Sequence, residues 1–75
     1  MITIYTTTTC PYCKMAKEYL KEKNVEYTEK DVTFDQTIQN EMIEKSGQMA
    51  VPVIDINGTM IVGFDREKID SALRE

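Results

Sequence analysis

The chain has 75 residues, room for one domain and not two, and a domain this small buries only a modest core. Its net charge of −4, from nine basic and 13 acidic residues, argues against a nucleic-acid binder, which needs a basic patch. Histidine is absent and no apolar run approaches the roughly 20 residues that span a bilayer, so membrane insertion and the usual neutral-pH base are both set aside.

The N-terminal stretch MITIYTTTT lacks the basic-then-apolar pattern of a secretory signal, and the expectation is a cytoplasmic protein with reduced thiols. Ile2 to Thr6 alternate and are rich in β-branched and aromatic residues, which reads as a strand. Tyr12, Met15, Ala16, Tyr19 and Leu20 then recur at the spacing of one helix face. Lys14, Lys17, Glu18, Lys21 and Glu22 fill the opposite face, and Asn24 is a stop signal. Val25 to Val32 alternates as a second strand, so the opening third predicts a right-handed βαβ unit with parallel strands. In TFDQTIQNEMIEKSG, Thr33 with Gln36 fits a capping box and Gly47 fits the position just past a helix end. Phe34, Ile38 and Met42, with Ile43 beside them, line one side of that second helix.

VPVIDINGTMIVGF carries the strongest turn signal in the chain. Asn57-Gly58 is the preferred pair for a two-residue type I′ hairpin, which sets Ile56 opposite Thr59 and Ile54 opposite Ile61. Asp65 can cap a last short helix whose apolar positions are Ile69, Ala72 and Leu73. The predicted order is β-α-β-α-β-β-α, an α/β domain over residues 1–75.

Both cysteines of the chain lie in one stretch, TTTTCPYCK, where the first strand gives way to the first helix. Pro11 suits the first helical position, since its missing N–H would be unpaired there anyway. That puts Cys10 at the cap, its sulfur facing unpaired backbone N–H groups and the positive end of the helix dipole. Such a site favours the thiolate, the nucleophilic form. Cys13 falls one turn inside, within reach of Cys10. Lys14 and Lys17 can add positive potential.

Three uses of the pair compete. A structural disulfide closing so short a loop contributes only about 2 kcal/mol, and is a poor choice in a reducing compartment. Structural zinc takes four nitrogen or sulfur ligands, and two cysteines without histidine supply half a site, to be completed only across two chains. C-x-x-C beside a βαβ pattern reads instead as a thioredoxin-like redox pair.

The segment YTTTTCPYCKMAKEYL resembles the active-site region of glutaredoxins, whose most familiar signature is Cys-Pro-Tyr-Cys. SGQMAVPVIDINGTMIVGFD is similar to their second landmark, a Val-Pro, a hairpin and a glycine before the last helix. Together these stretches span nearly the whole chain in the right order. The resemblance implies a thioredoxin fold, with a four-stranded mixed sheet and helices on both faces. It also implies a cis bond at Val51-Pro52, set against the active site. Cys10 is then the nucleophile and Cys13 the resolving thiol. Glutathione, the expected co-substrate, would lie along Tyr12, pair with the backbone of Val51 before Pro52, and place its γ-glutamyl end at Phe64 and Asp65. Residue by residue, plainer readings stay open: Tyr12 as part of the core stripe, Pro52 as the start of an edge strand, Asp65 as a helix cap only.

Several positions depart from the family pattern. Thr7 stands where many glutathione-binding members have a lysine, Ala50 replaces the usual threonine before Val-Pro, and Val62 and Phe64 replace a glycine and a small residue. Gly63-Phe64 also resembles the small redoxins that are reduced by thioredoxin reductase and feed ribonucleotide reductase, although those usually carry another dipeptide between the cysteines. The leading expectation is a monomeric, metal-free, glutathione-dependent oxidoreductase acting on protein disulfides and glutathionylated proteins. One alternative is a redoxin served by thioredoxin reductase, donating to ribonucleotide reductase or a peroxidase. The other is a module holding metal or an iron–sulfur cluster between two chains.

Overall fold

Seven elements run in the expected order in the computed structural model, which describes residues 2–48 and 51–74. They are β1 (Ile2–Thr6), α1 (Pro11–Glu22), β2 (Thr28–Asp31), α2 (Gln36–Ser46), β3 (Val53–Ile56), β4 (Thr59–Val62) and α3 (Arg66–Leu73). The strands form one sheet in the order β2-β1-β3-β4. β1 pairs parallel with β2 and antiparallel with β3, and β3 pairs antiparallel with β4. The expected mixed four-stranded sheet is therefore present.

β1 is the hub of the sheet. All five of its residues are buried, as expected of an interior strand covered on both faces. Its alternation sends Ile2 and Ile4 to one face, where Ala16 and Leu20 of α1 and Ile69 of α3 pack. Tyr5 points the other way and joins Val32, Val53 and Met42 of α2.

The hairpin follows its turn chemistry. Asn57 and Gly58 both take positive φ, 51° and 96°, and Ile56 faces Thr59 while Ile54 faces Ile61. Asp55 supports the turn by accepting the Gly58 N–H at 2.9 Å. Gly47 ends α2 at φ 75°, as its position suggested, and Asn24 takes φ 57° just past α1.

Four expectations need correction. The buried stripe of α1 is Cys13, Ala16 and Leu20, with Tyr19 half-buried, whereas Tyr12 and Met15 are exposed. The stripe is shifted because Cys13, a small buried hydrophobe here, takes the place assigned to Tyr12. The second strand is shorter than Val25–Val32, because β2 extends only where β1 offers partners, Thr3 to Thr6. The cap of α2 is Asp35, accepting the Ile38 N–H at 3.1 Å, rather than Thr33. Thr33 is held in the preceding loop, donating its N–H to Asp31 at 2.8 Å. Phe34, placed on the apolar side of α2, is 96% exposed because the helix begins after it. Ala50 lies outside the described residues.

Candidate active site

The last hydrogen bond of β1 toward β2 is from the Val32 N–H to the Thr6 carbonyl, at 2.8 Å. The chain then turns through Thr7, Thr8 and Thr9 into Cys10, the N-cap of α1, with Pro11 opening the helix. Cys10 keeps extended backbone angles and its Sγ accepts the Cys13 N–H at 3.1 Å. The sulfur thus takes a first-turn N–H that the helix itself cannot satisfy. This is the cap geometry the sequence pointed to.

The two thiols differ sharply in environment. Cys10 is partly exposed, whereas Cys13 is 1% exposed. Burial, helped by the hydrogen bond with the neighbouring Cys10, pushes the Cys13 thiol up to about 12. The Thr7 backbone N–H and the Lys17 charge act in the opposite sense. At neutral pH Cys13 is therefore a neutral, sheltered thiol behind a sulfur that solvent can reach.

The remaining predicted residues converge on the same end of the sheet. Tyr5 of β1 faces Val53 of β3, so Pro52 and Val51 continue alongside Thr6 and the start of the cysteine loop. Val51-Pro52 is cis, Pro52 is buried, and its carbonyl accepts the Gly63 N–H at 2.8 Å. Val62 faces Val53, so β4 delivers Phe64 and Asp65 to that end as well. Val51 is half-buried and packs toward the Tyr5 cluster. Tyr12, 59% exposed and two residues from Cys10, is free of the core and presents its ring at the surface. The Phe64 ring meets Tyr19 edge-on at 5.8 Å, so its side chain belongs to the core. Asp65 caps α3 by accepting the Lys68 N–H at 3.2 Å through one carboxylate oxygen.

Some contacts at the site had no signal in the sequence. The Thr8 N–H donates to the Thr33 hydroxyl at 3.1 Å, tying the cysteine loop to the loop after β2. Glu29 accepts from the buried Thr6 hydroxyl at 2.8 Å and from the Lys17 ammonium at 2.9 Å. The partners of Glu29 lie 23 and 12 positions away in sequence, and no local periodicity links such residues.

A glutaredoxin family profile matches residues 2–61. A glutaredoxin-like 8.6 kDa protein of the rubredoxin operon of Clostridium pasteurianum is 47% identical over the full length of both chains. Glutaredoxin 3 of Escherichia coli K12 is 41% identical over 64 residues, 85% of this chain and 77% of that protein. Among solved structures, the thioredoxin-like protein BC3987 superposes with a TM-score of 0.90 at 35% identity, covering 96% of this chain and 99% of the other. The architecture is the thioredoxin fold, as the resemblance in sequence implied.

Proposed function

This chain belongs to the glutaredoxin family, a family of thiol oxidoreductases, and we propose that it is a glutathione-dependent disulfide reductase with Cys10 as nucleophile and Cys13 as resolving thiol. The observation that carries the reading is the asymmetry of the pair. One sulfur is reachable and capped on a helix N-terminus, and the other is buried one turn behind it. Cys10 thiolate attacks a protein disulfide or a glutathionylated cysteine, forming a mixed disulfide and releasing one thiolate. Cys13 then gives up its proton and attacks Cys10 Sγ. The mixed disulfide breaks, the second substrate sulfur leaves as a thiolate and is protonated, and a Cys10–Cys13 disulfide remains. Two glutathione molecules return it to the dithiol, becoming glutathione disulfide. When a glutathione mixed disulfide is the substrate, glutathione can also resolve it in place of Cys13.

Glutathione would lie across the end of the sheet where the site residues converge. The exposed Tyr12 ring offers a wall. The extended backbone at Val51, before Pro52, suits strand-like pairing with the cysteine of the tripeptide. The backbone N–H groups of Phe64 and Asp65, just before α3, suit a carboxylate, and the Asp65 carboxylate suits the γ-glutamyl ammonium.

One observation favours a second reading, a redoxin reduced by thioredoxin reductase that donates to ribonucleotide reductase or a peroxidase. The Phe64 side chain, where the family usually has a small residue, is bound into the core against Tyr19, and Thr7 leaves the groove without the usual lysine. The likeness to a protein named thioredoxin-like points the same way. NADPH consumption on a glutathionylated substrate separates the two. Turnover is expected with glutathione and glutathione reductase, and turnover with thioredoxin reductase alone would select the second reading. Cys10→Ser is expected to abolish activity. Cys13→Ser is expected to keep deglutathionylation and lose reduction of protein disulfides; loss of both would overturn the division of roles.

A further inference from the structure

On the β2 side of the cysteines, away from Val51 and Phe64, a cleft is lined by Thr7, Cys10, Cys13, Lys17, Glu29 and Asp31. Cys13 and Lys17 are four residues apart on α1 and so share a helix face. Lys17 is not a loose surface lysine. Its ammonium meets Glu29 Oε2 at 2.9 Å, and the same oxygen is fixed by the hydroxyl of Thr6, a fully buried residue at the end of β1. The Glu29 contact holds the lysine firmly protonated, and Lys17 in turn keeps the Glu29 carboxyl below its usual range. The result is a clamped positive charge in the cleft that the shielded sulfur also lines. Lys14 also borders the cleft, but it is exposed and has no ion-pair partner among the described residues.

We propose that Lys17, clamped by Glu29 and Thr6, is a positioning residue for the resolving step, presenting a fixed positive charge to the Cys13 thiolate as that sulfur attacks Cys10. The inference rests on the reading of Cys13 as resolving thiol. The titratable and charged groups that line this cleft with Cys13 are Cys10 at the cap of α1, Lys14 and Lys17 from α1, and Glu29 and Asp31 from β2. Of these, Lys17 pulls the buried thiol down toward its ordinary value near 9, as does the Thr7 N–H from the loop. A buried thiol that must ionise for a single step benefits from a cation that is already in place. Glu29 serves by keeping Lys17 at the cleft, and Thr6 by keeping Glu29 on β2.

The expected size follows from thiol chemistry. Each unit by which the Cys13 thiol rises removes tenfold of its thiolate, and the higher nucleophilicity of the more basic sulfur returns about threefold, so the net loss is about threefold. The reduced protein mixed with dithiobis-nitrobenzoate in a stopped-flow instrument reads the two thiols separately. Attack by Cys10 releases the first coloured thiolate, and resolution by Cys13 releases the second. Lys17→Met is expected to slow the second phase about threefold or more and to displace its pH profile to higher pH, with the first phase unchanged. Lys17→Arg is expected to restore the rate, Glu29→Gln to slow it less than Lys17→Met, and Lys14→Met to leave the second phase alone. An unchanged second phase in Lys17→Met, or equal slowing of both phases, would overturn the role given to Lys17. A wild-type trace with no second phase would overturn the reading of Cys13 itself, and the inference with it.

Discussion

The two faces of the sheet are built differently. The face under α1 and α3 holds a continuous apolar core that includes Ile4, Leu20, Ile54 and Ile69, all fully buried. The face under α2 holds, among the described residues, Tyr5, Val32, Met42 and Val53 as buried members, and its largest side chain carries a hydroxyl that must be satisfied. Tyr5 donates to Glu41 at 2.8 Å, and Lys30 reaches the same carboxylate oxygen at 3.0 Å. Gln39 adds a bond from its side chain to the Val32 carbonyl at 2.7 Å. The face that anchors the thiols thus rests mainly on a broad apolar core, with polar links such as Tyr19 to Asp70 at 2.6 Å set at its margin. The other has a smaller apolar core, and there the charge-assisted bonds, which pH and salt weaken, are anchored on its largest buried side chain.

The largest expected effect tests that inequality directly. Leu20→Ala should cost about 4 kcal/mol and Met42→Ala about 2–3 kcal/mol, both read by urea denaturation of the reduced protein. Equal losses would show that the smaller cluster is packed as tightly as the larger. A total stability of about 5–15 kcal/mol is usual for a domain, so Leu20→Ala should leave a marginal fold.

Tyr5→Phe is next, at about 1 kcal/mol near neutral pH. The Tyr5 hydroxyl and then Lys30 hold the Glu41 carboxyl below its ordinary value of 4.5. A depressed carboxyl contributes stability above the ordinary value and loses it as pH falls through the lowered one. The gap in melting temperature between wild type and Tyr5→Phe should therefore narrow as pH drops below about 4.5. A gap that stays constant into acid would mean that the hydroxyl acts by packing alone. Smallest is Phe34→Ser, expected within about 0.5 kcal/mol of wild type, since that ring is 96% exposed. A larger loss would give Phe34 a partner within the fold and extend the α2 face.

What could be read from the sequence was what local chemistry decides. Asn57-Gly58 alone set the hairpin and its register, because that pair tolerates the positive φ the turn demands. Pro11 fixed the start of α1 and so placed Cys10 on the cap. What could not be read depended on distant partners. Thr33 and Asp35 are both good caps, and the choice fell to Asp35 because Thr33 is held between Asp31 and Thr8. β2 looked longer than it is because alternation does not reveal where a neighbouring strand stops. Lys14 and Lys17 read alike as sources of positive potential, and only the ion pair with Glu29 on β2 sets Lys17 apart.

The pairing of β1 has a consequence for the order in which the chain is made. Ile2 lies against Ile56 and Tyr5 against Val53, so the strand that leads into the cysteines waits for the hairpin to complete its sheet. The floor on which α1 lies includes Ile54 and Ile69, which are made after α1 itself. Cys10 and Cys13 are thus made before the hairpin and helix that complete the floor under α1. Until the hairpin and α3 arrive, α1 lacks much of the apolar floor against which its buried side lies. The shelter of Cys13, 1% exposed, is thus a property of the assembled sheet and not of the C-x-x-C stretch alone.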